Sequence, residues 1–141
     1  MVDWHIKPDI LFLIAIALVW WYAPKYISHR YAVRARIEID PIKRRDLLDW
    51  AIFYDHNPHL RIELSRTIFE IAQTDKDPHE RLRQATIAGE IIDGLIRRGA
   101  IPDDFADEAA RLLGEIKRYE TAAKVISDMS AENARKRFKV M

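Results

Sequence analysis

Asp55-His56-Asn57-Pro58-His59 is the one local cluster in this chain whose residue types resemble a metal site. Two imidazoles and a carboxylate within five residues resemble a partial zinc or iron ligand set. The spacing works against it. An Asn-Pro junction ends one helix and starts the next, so His56 and His59 need not share a face, and no His-Glu-x-x-His accompanies them. Polar residues of a helix turn are the default reading, with a metal-dependent enzyme using Asp55, His56 and His59 as an alternative.

Other reactive side chains are thinly placed. His79 and Glu80 fall at a helix start, where capping explains them, and Ser65, Ser127 and Ser130 have no triad-like arrangement of His and Asp nearby in sequence. Glu63, Glu70 and Glu90 lack the Glu-x-x-His that a di-iron bundle needs on two helices. The chain has no cysteine, which removes disulfides and thiol nucleophiles, and it has no glycine-rich phosphate loop. The expectation is a non-enzymatic protein with no catalytic, cofactor-binding or metal-binding residues and no small-molecule substrate.

The elements say more than the reactive groups. Ile10 to Ala23 contains no charged side chain, whereas the sequence beyond Pro24 is dense in charge. As a helix this run measures about 21 Å, short of a hydrocarbon core of about 30 Å. Trp20, Trp21 and Tyr22 at one end and Trp4 beyond the other supply rings suited to the headgroup layer, extending the membrane-adapted stretch to Trp4 through Tyr26. An interfacial helix and a buried core helix are the competing readings. No small-x-small cleavage site follows the run, so residues 1–26 read as an uncleaved anchor carried by Leu11, Phe12, Leu13, Ile14, Leu18, Val19, Trp20, Trp21 and Tyr22. One Lys or Arg precedes residue 25 and seven lie between 25 and 45, which predicts an amino terminus outside and a cytoplasmic body.

Residues 27–40 read as a basic juxtamembrane stalk, helical or extended. Val33, Ala35, Ile37 and Ile39 alternate with charged residues and also fit a strand, but no second strand follows to pair with it. Residues 41–129 form the cytoplasmic helical domain. Asp40-Pro41, Asn57-Pro58 and Asp77-Pro78 each place a capping residue before a proline at the first helical position, and Glu80 would complete a capping box with Asp77. Pro58-His59-x-Arg61 and Pro78-His79-x-Arg81 read as one capping solution used twice rather than as a repeat. Ala85 and Gly89 would let another backbone approach closely, and Gly99 closes the helix.

The last helix, about 103–129, carries Phe105, Ala109, Leu112, Ile116, Tyr119, Ala123 and Ile126 at steps of four and three. This seam serves either an intramolecular hairpin or a partner chain. Trp50, Phe53 and Tyr54, with Phe105, Leu112, Ile116 and Tyr119, are the core or partner-contact residues. Lys25, Arg30, Arg34 and Arg36, with Arg135, Lys136 and Arg137 of a basic tail over 130–141, suit lipid headgroups or a partner.

The expected fold is all-α: an N-terminal single transmembrane helix followed by a small helical bundle with a long C-terminal helical hairpin. The expected function is that of a single-pass, membrane-anchored interaction or assembly protein, an accessory subunit of a larger membrane complex, with lipid and protein partners and no nucleic acid. A structural membrane protein of a virus or lysis apparatus is a further alternative.

Overall fold

The structure, a computed structural model, describes residues 7–140; Trp4, expected to flank the anchor, lies outside them. Five α-helices, α1 (Pro8–Ile37), α2 (Pro41–Tyr54), α3 (Pro58–Thr74), α4 (Pro78–Arg97) and α5 (Ala106–Val140), follow one another, with one 3-10 turn at Asp103–Phe105. No strand occurs among the described residues. Residues 31–37 belong to α1, and only Glu38 to Asp40 leave the helix. Their period-two alternation is overridden by Ser28, Ala32 and Ala35, small residues at steps of four and three that α2 covers.

All three expected caps form. The carboxylate of Asp40 accepts from the Ile42 amide at 3.1 Å, the Asn57 side-chain oxygen from His59 at 3.0 Å and Asp77 from His79 at 3.0 Å. The capping box does not. Glu80 turns to Arg83 at 3.4 Å, and the Asp77 amide donates instead to the Asp75 carboxylate at 2.9 Å, an acceptor nearer in sequence. Gly99, with φ +61°, closes α4 as the Ala100 amide reaches the Leu95 carbonyl at 2.9 Å and its own amide reaches Ile96 at 3.0 Å.

Each helix packs mainly on the one before and the one after it, and ties between residues about equally far from each turn, Ser28 to Ala51, Arg44 to Glu70, Ser65 to Ala88 and Thr86 to Glu120, make the successive pairs antiparallel. A repeat underlies this order. The Ser28 hydroxyl donates to the Ala51 carbonyl at 2.7 Å between α1 and α2, and 37 positions later the Ser65 hydroxyl donates to the Ala88 carbonyl at 2.7 Å between α3 and α4. The intervening turns match at the same shift. Glu38 and Asp75 each accept from the amide of the cap two residues on, and Arg44 and Arg81 each fold back onto the carbonyl of Glu38 and Asp75. The α1–α2 and α3–α4 hairpins are thus two copies of one unit, related by Asp40-Pro41-x-x-Arg44 and Asp77-Pro78-x-x-Arg81. The pairing of Pro58 with Pro78 misses this, because the turn it compares follows the second helix of a hairpin in one case and the first in the other.

Leu48, Ile62, Ile92, Leu95 and Ile116 are the largest fully buried apolar side chains and lie on α2 through α5. α5 covers α4 as the second half of an antiparallel hairpin. A Cβ at Gly89 would stand 3.4 Å from the Ile116 side chain, so Gly89 makes room for that side chain at the α4–α5 contact.

Candidate interaction surfaces

α1 has two halves with different surroundings. From Pro8 to Tyr22 every residue is exposed, including Leu11, Phe12, Leu13, Ile14, Leu18, Val19, Trp20, Trp21 and Tyr22. Beyond Pro24 the same helix carries Ser28, Ala32 and Ala35 into the protein. Pro24 sits inside α1 without ending it. A proline there forgoes one backbone hydrogen bond and clashes with the preceding turn, and the packed segment downstream holds the helical path. The whole helix, about 45 Å long, therefore contains an apolar portion long enough to cross a membrane.

Where α2 returns along α1, four aromatic rings gather. Tyr31 stacks on Tyr54 with centroids 6.1 Å apart and on Trp50 at 6.3 Å, while Phe53 meets Tyr54 edge-on at 5.3 Å and Trp50 at 5.9 Å. Trp50 and Phe53 remain 51% and 69% exposed, so these two are surface rather than core. The basic residues of α1 lean on its own rings: Lys25 over Trp21 at 5.3 Å, Arg30 over Tyr26 at 5.9 Å and Arg34 over Tyr31 at 5.9 Å. Arg36 reaches Glu63 of α3 instead, at 4.0 Å.

The seam of α5 is consumed within the protein over most of its length. Ala109, Leu112, Ile116 and Ala123 are buried, Phe105 meets His59 edge-on at 4.5 Å, and Tyr119 packs edge-on against Phe69 while its hydroxyl donates to the Ala72 carbonyl at 3.0 Å. The seam opens at Ile126, which is 50% exposed. The residues set apart as a tail, 130–140, continue α5 as helix. Their last tie to α4 is Ser127, whose hydroxyl lies 2.8 Å from His79 Nδ1. The remaining turns, with Met129, Phe138 and Val140 exposed, flank an open groove of about 730 Å³ beside Pro78. Among the basic residues there, Lys136 pairs with Glu132 at 3.5 Å. Since α1, α3 and α5 run the same way, this end of α5 leaves the stack opposite to the apolar half of α1, carrying Arg135, Lys136 and Arg137 with it.

The histidine cluster disperses. His56 Nδ1 faces Arg61 at 3.5 Å, whereas His59 faces Asn57 at 3.1 Å, Asp104 at 3.7 Å and Phe105. The imidazoles have no common focus, and among the described residues no three His, Asp or Glu side chains converge on a point that could hold an ion. The contact of Ser127 with His79 resembles part of a nucleophilic dyad, which sequence proximity could not reveal. Ser127 is buried in the middle of α5, where backbone amides are already used by the helix, so no donor pair is available for an oxyanion. The pair pins α4 to α5.

No protein-family model, curated protein or solved structure matches this chain. Function rests on the chemistry of these surfaces.

Proposed function

We propose that this is a single-pass, membrane-anchored, non-enzymatic interaction or assembly protein, serving as an accessory subunit of a larger membrane complex. One observation carries the reading: an unbroken helix joins an apolar segment that no other described element buries to a folded helical stack. Such a segment of Leu, Ile, Phe and Trp is costly in water and needs lipid as its solvent. The cationic excess after residue 24 argues for an outside amino terminus and a cytoplasmic stack.

The partner-facing element is the outer end of α5. It offers Ile126, Met129 and Phe138 beside three clustered cations, on the side of the stack away from the anchor. That side favours a protein partner for Arg135, Lys136 and Arg137 over the headgroups of the bilayer that would hold α1. Purification of the intact chain in mild detergent tests the reading. A defined membrane complex should co-purify and be lost on replacing Met129 and Phe138 with Ser; a chain recovered alone from membranes argues against the accessory role.

A further inference from the structure

The aromatic cluster of α1 and α2 lies at a height fixed by the anchor. The uncharged run Ile10 to Ala23 is centred between Ile16 and Ala17. Half of a hydrocarbon core is about 15 Å, or about ten residues of helix, which places the boundary near Tyr26. A headgroup layer of about 5–8 Å adds about three to five residues and ends near Tyr31.

α2 is locked to this scale. The Ser28 hydroxyl holds the Ala51 carbonyl at 2.7 Å, and Tyr31 stacks on Trp50 and Tyr54, so the last turn of α2 stands level with residues 28–31 of α1. At that level Trp50 and Phe53 are more than half exposed; Arg30 of α1 lies within the layer, and the exposed Lys25 and Arg34 flank it about one turn to either side, within side-chain reach. Exposed indole and phenyl rings among cations are what the headgroup region stabilises, through the ring bodies at the acyl boundary and the cations at lipid phosphates.

We infer that the last turn of α2, through Trp50 and Phe53, is a second membrane contact that seats the helical stack in the phospholipid headgroup layer. The inference rests on the anchored reading above. Residues 25–31 then act as a rigid strut, because α1 is continuous through them and clasped by α2. The stack keeps one orientation to the bilayer, and the outer end of α5 is presented away from it.

Two single-tryptophan forms of the full chain test this in vesicles of phosphatidylcholine and phosphatidylserine. One retains Trp50 (Trp4→Phe, Trp20→Phe, Trp21→Phe) and the other retains Trp21 (Trp4→Phe, Trp20→Phe, Trp50→Phe), with helix content by circular dichroism confirming that each is folded. The expected result is loss of Trp50 emission with lipids bearing a nitroxide on the headgroup, and loss of Trp21 emission with lipids brominated on the acyl chains. If Trp21 is quenched while Trp50 stays bright and open to aqueous iodide, the headgroup seat is overturned and the cluster is left to a protein partner. If Trp21 itself escapes acyl-chain quenching, the anchored reading fails and the seat fails with it.

Discussion

The Ser28 hydroxyl donates to the Ala51 carbonyl at 2.7 Å, and this bond fastens the buried half of α1 to α2. The same carbonyl also accepts from the Asp55 amide at 3.0 Å, so removing the hydroxyl does not strand it. Ser28→Ala should therefore cost only the net value of one hydrogen bond, about 0.5–1.5 kcal/mol. Ser65→Ala, at the equivalent bond to Ala88, should cost about the same, and the double variant should come close to the sum because the bonds belong to different hairpins. Urea unfolding in detergent, followed by circular dichroism, checks both; a double variant no less stable than the parent would deny the clasp a role.

Ile116 is fully buried and Ile126 half exposed, although both belong to one sequence pattern. Ile116→Ala should destabilise by about 2–5 kcal/mol through lost burial and a residual cavity. Ile126→Ala should stay within about 0.5 kcal/mol, as for a surface position. Equal losses at both sites would show that the seam is covered along its whole length. Ile116→Asp should abolish the α4–α5 hairpin by burying an unpaired charge.

Asp77 accepts from the His79 amide, whereas Glu80 faces Arg83 and does not reach back. Asp77→Ala should cost about 1 kcal/mol of stability, and Glu80→Ala only a few tenths. A large effect at Glu80 in denaturant titrations would indicate that the capping box forms after all.

Gly99 ends α4 with φ +61° and open space around the position a Cβ would take. Gly99→Ala should therefore cost about 1–2 kcal/mol from left-handed backbone strain alone, with Gly99→Asn less harmful than Gly99→Ala. Thermal melts of the two variants give the order directly.

Much of the helical plan was legible because it is written in local chemistry. Asp40, Asn57 and Asp77 before proline mark three helix starts, Gly99 marks a stop, and Phe105 to Ala123 marks the face that α5 and the turn before it bury against α3 and α4. The repeat was hidden because its strongest markers are sparse. Ser28 and Ser65, Ala51 and Ala88, and Arg44 and Arg81 recur at fixed spacing, but apolar identity between the copies is low, and hydroxyl-to-carbonyl bonds between helices leave no periodic signal. Residues 31–37 were ambiguous since Val33, Ala35 and Ile37 alternate while Ser28, Ala32 and Ala35 follow a helical period; packing against α2 decides. The contact of Ser127 with His79 joins residues 48 apart and is set by how α5 crosses α4. The aromatic residues Trp50, Phe53 and Tyr54 could be named from sequence, but their height relative to the anchor could not, because it depends on α1 remaining helical through Pro24.

Repeat equivalence also sets a boundary for the proposed anchor. The start of α3 at Pro58 corresponds, 37 positions earlier, to Trp21, so the α1 residues before Trp21 have no counterpart in the second hairpin. They are surplus to folding the unit, which agrees with every one of them being exposed.

Alkaline carbonate extraction of membranes from cells expressing the intact chain tests the central claim most directly. A chain whose first helix is solvated by lipid stays in the pellet with the bilayer, and Leu13→Arg combined with Ala17→Arg shifts it to the supernatant. Recovery of the intact chain in the supernatant, with its helices still folded, would contradict the account.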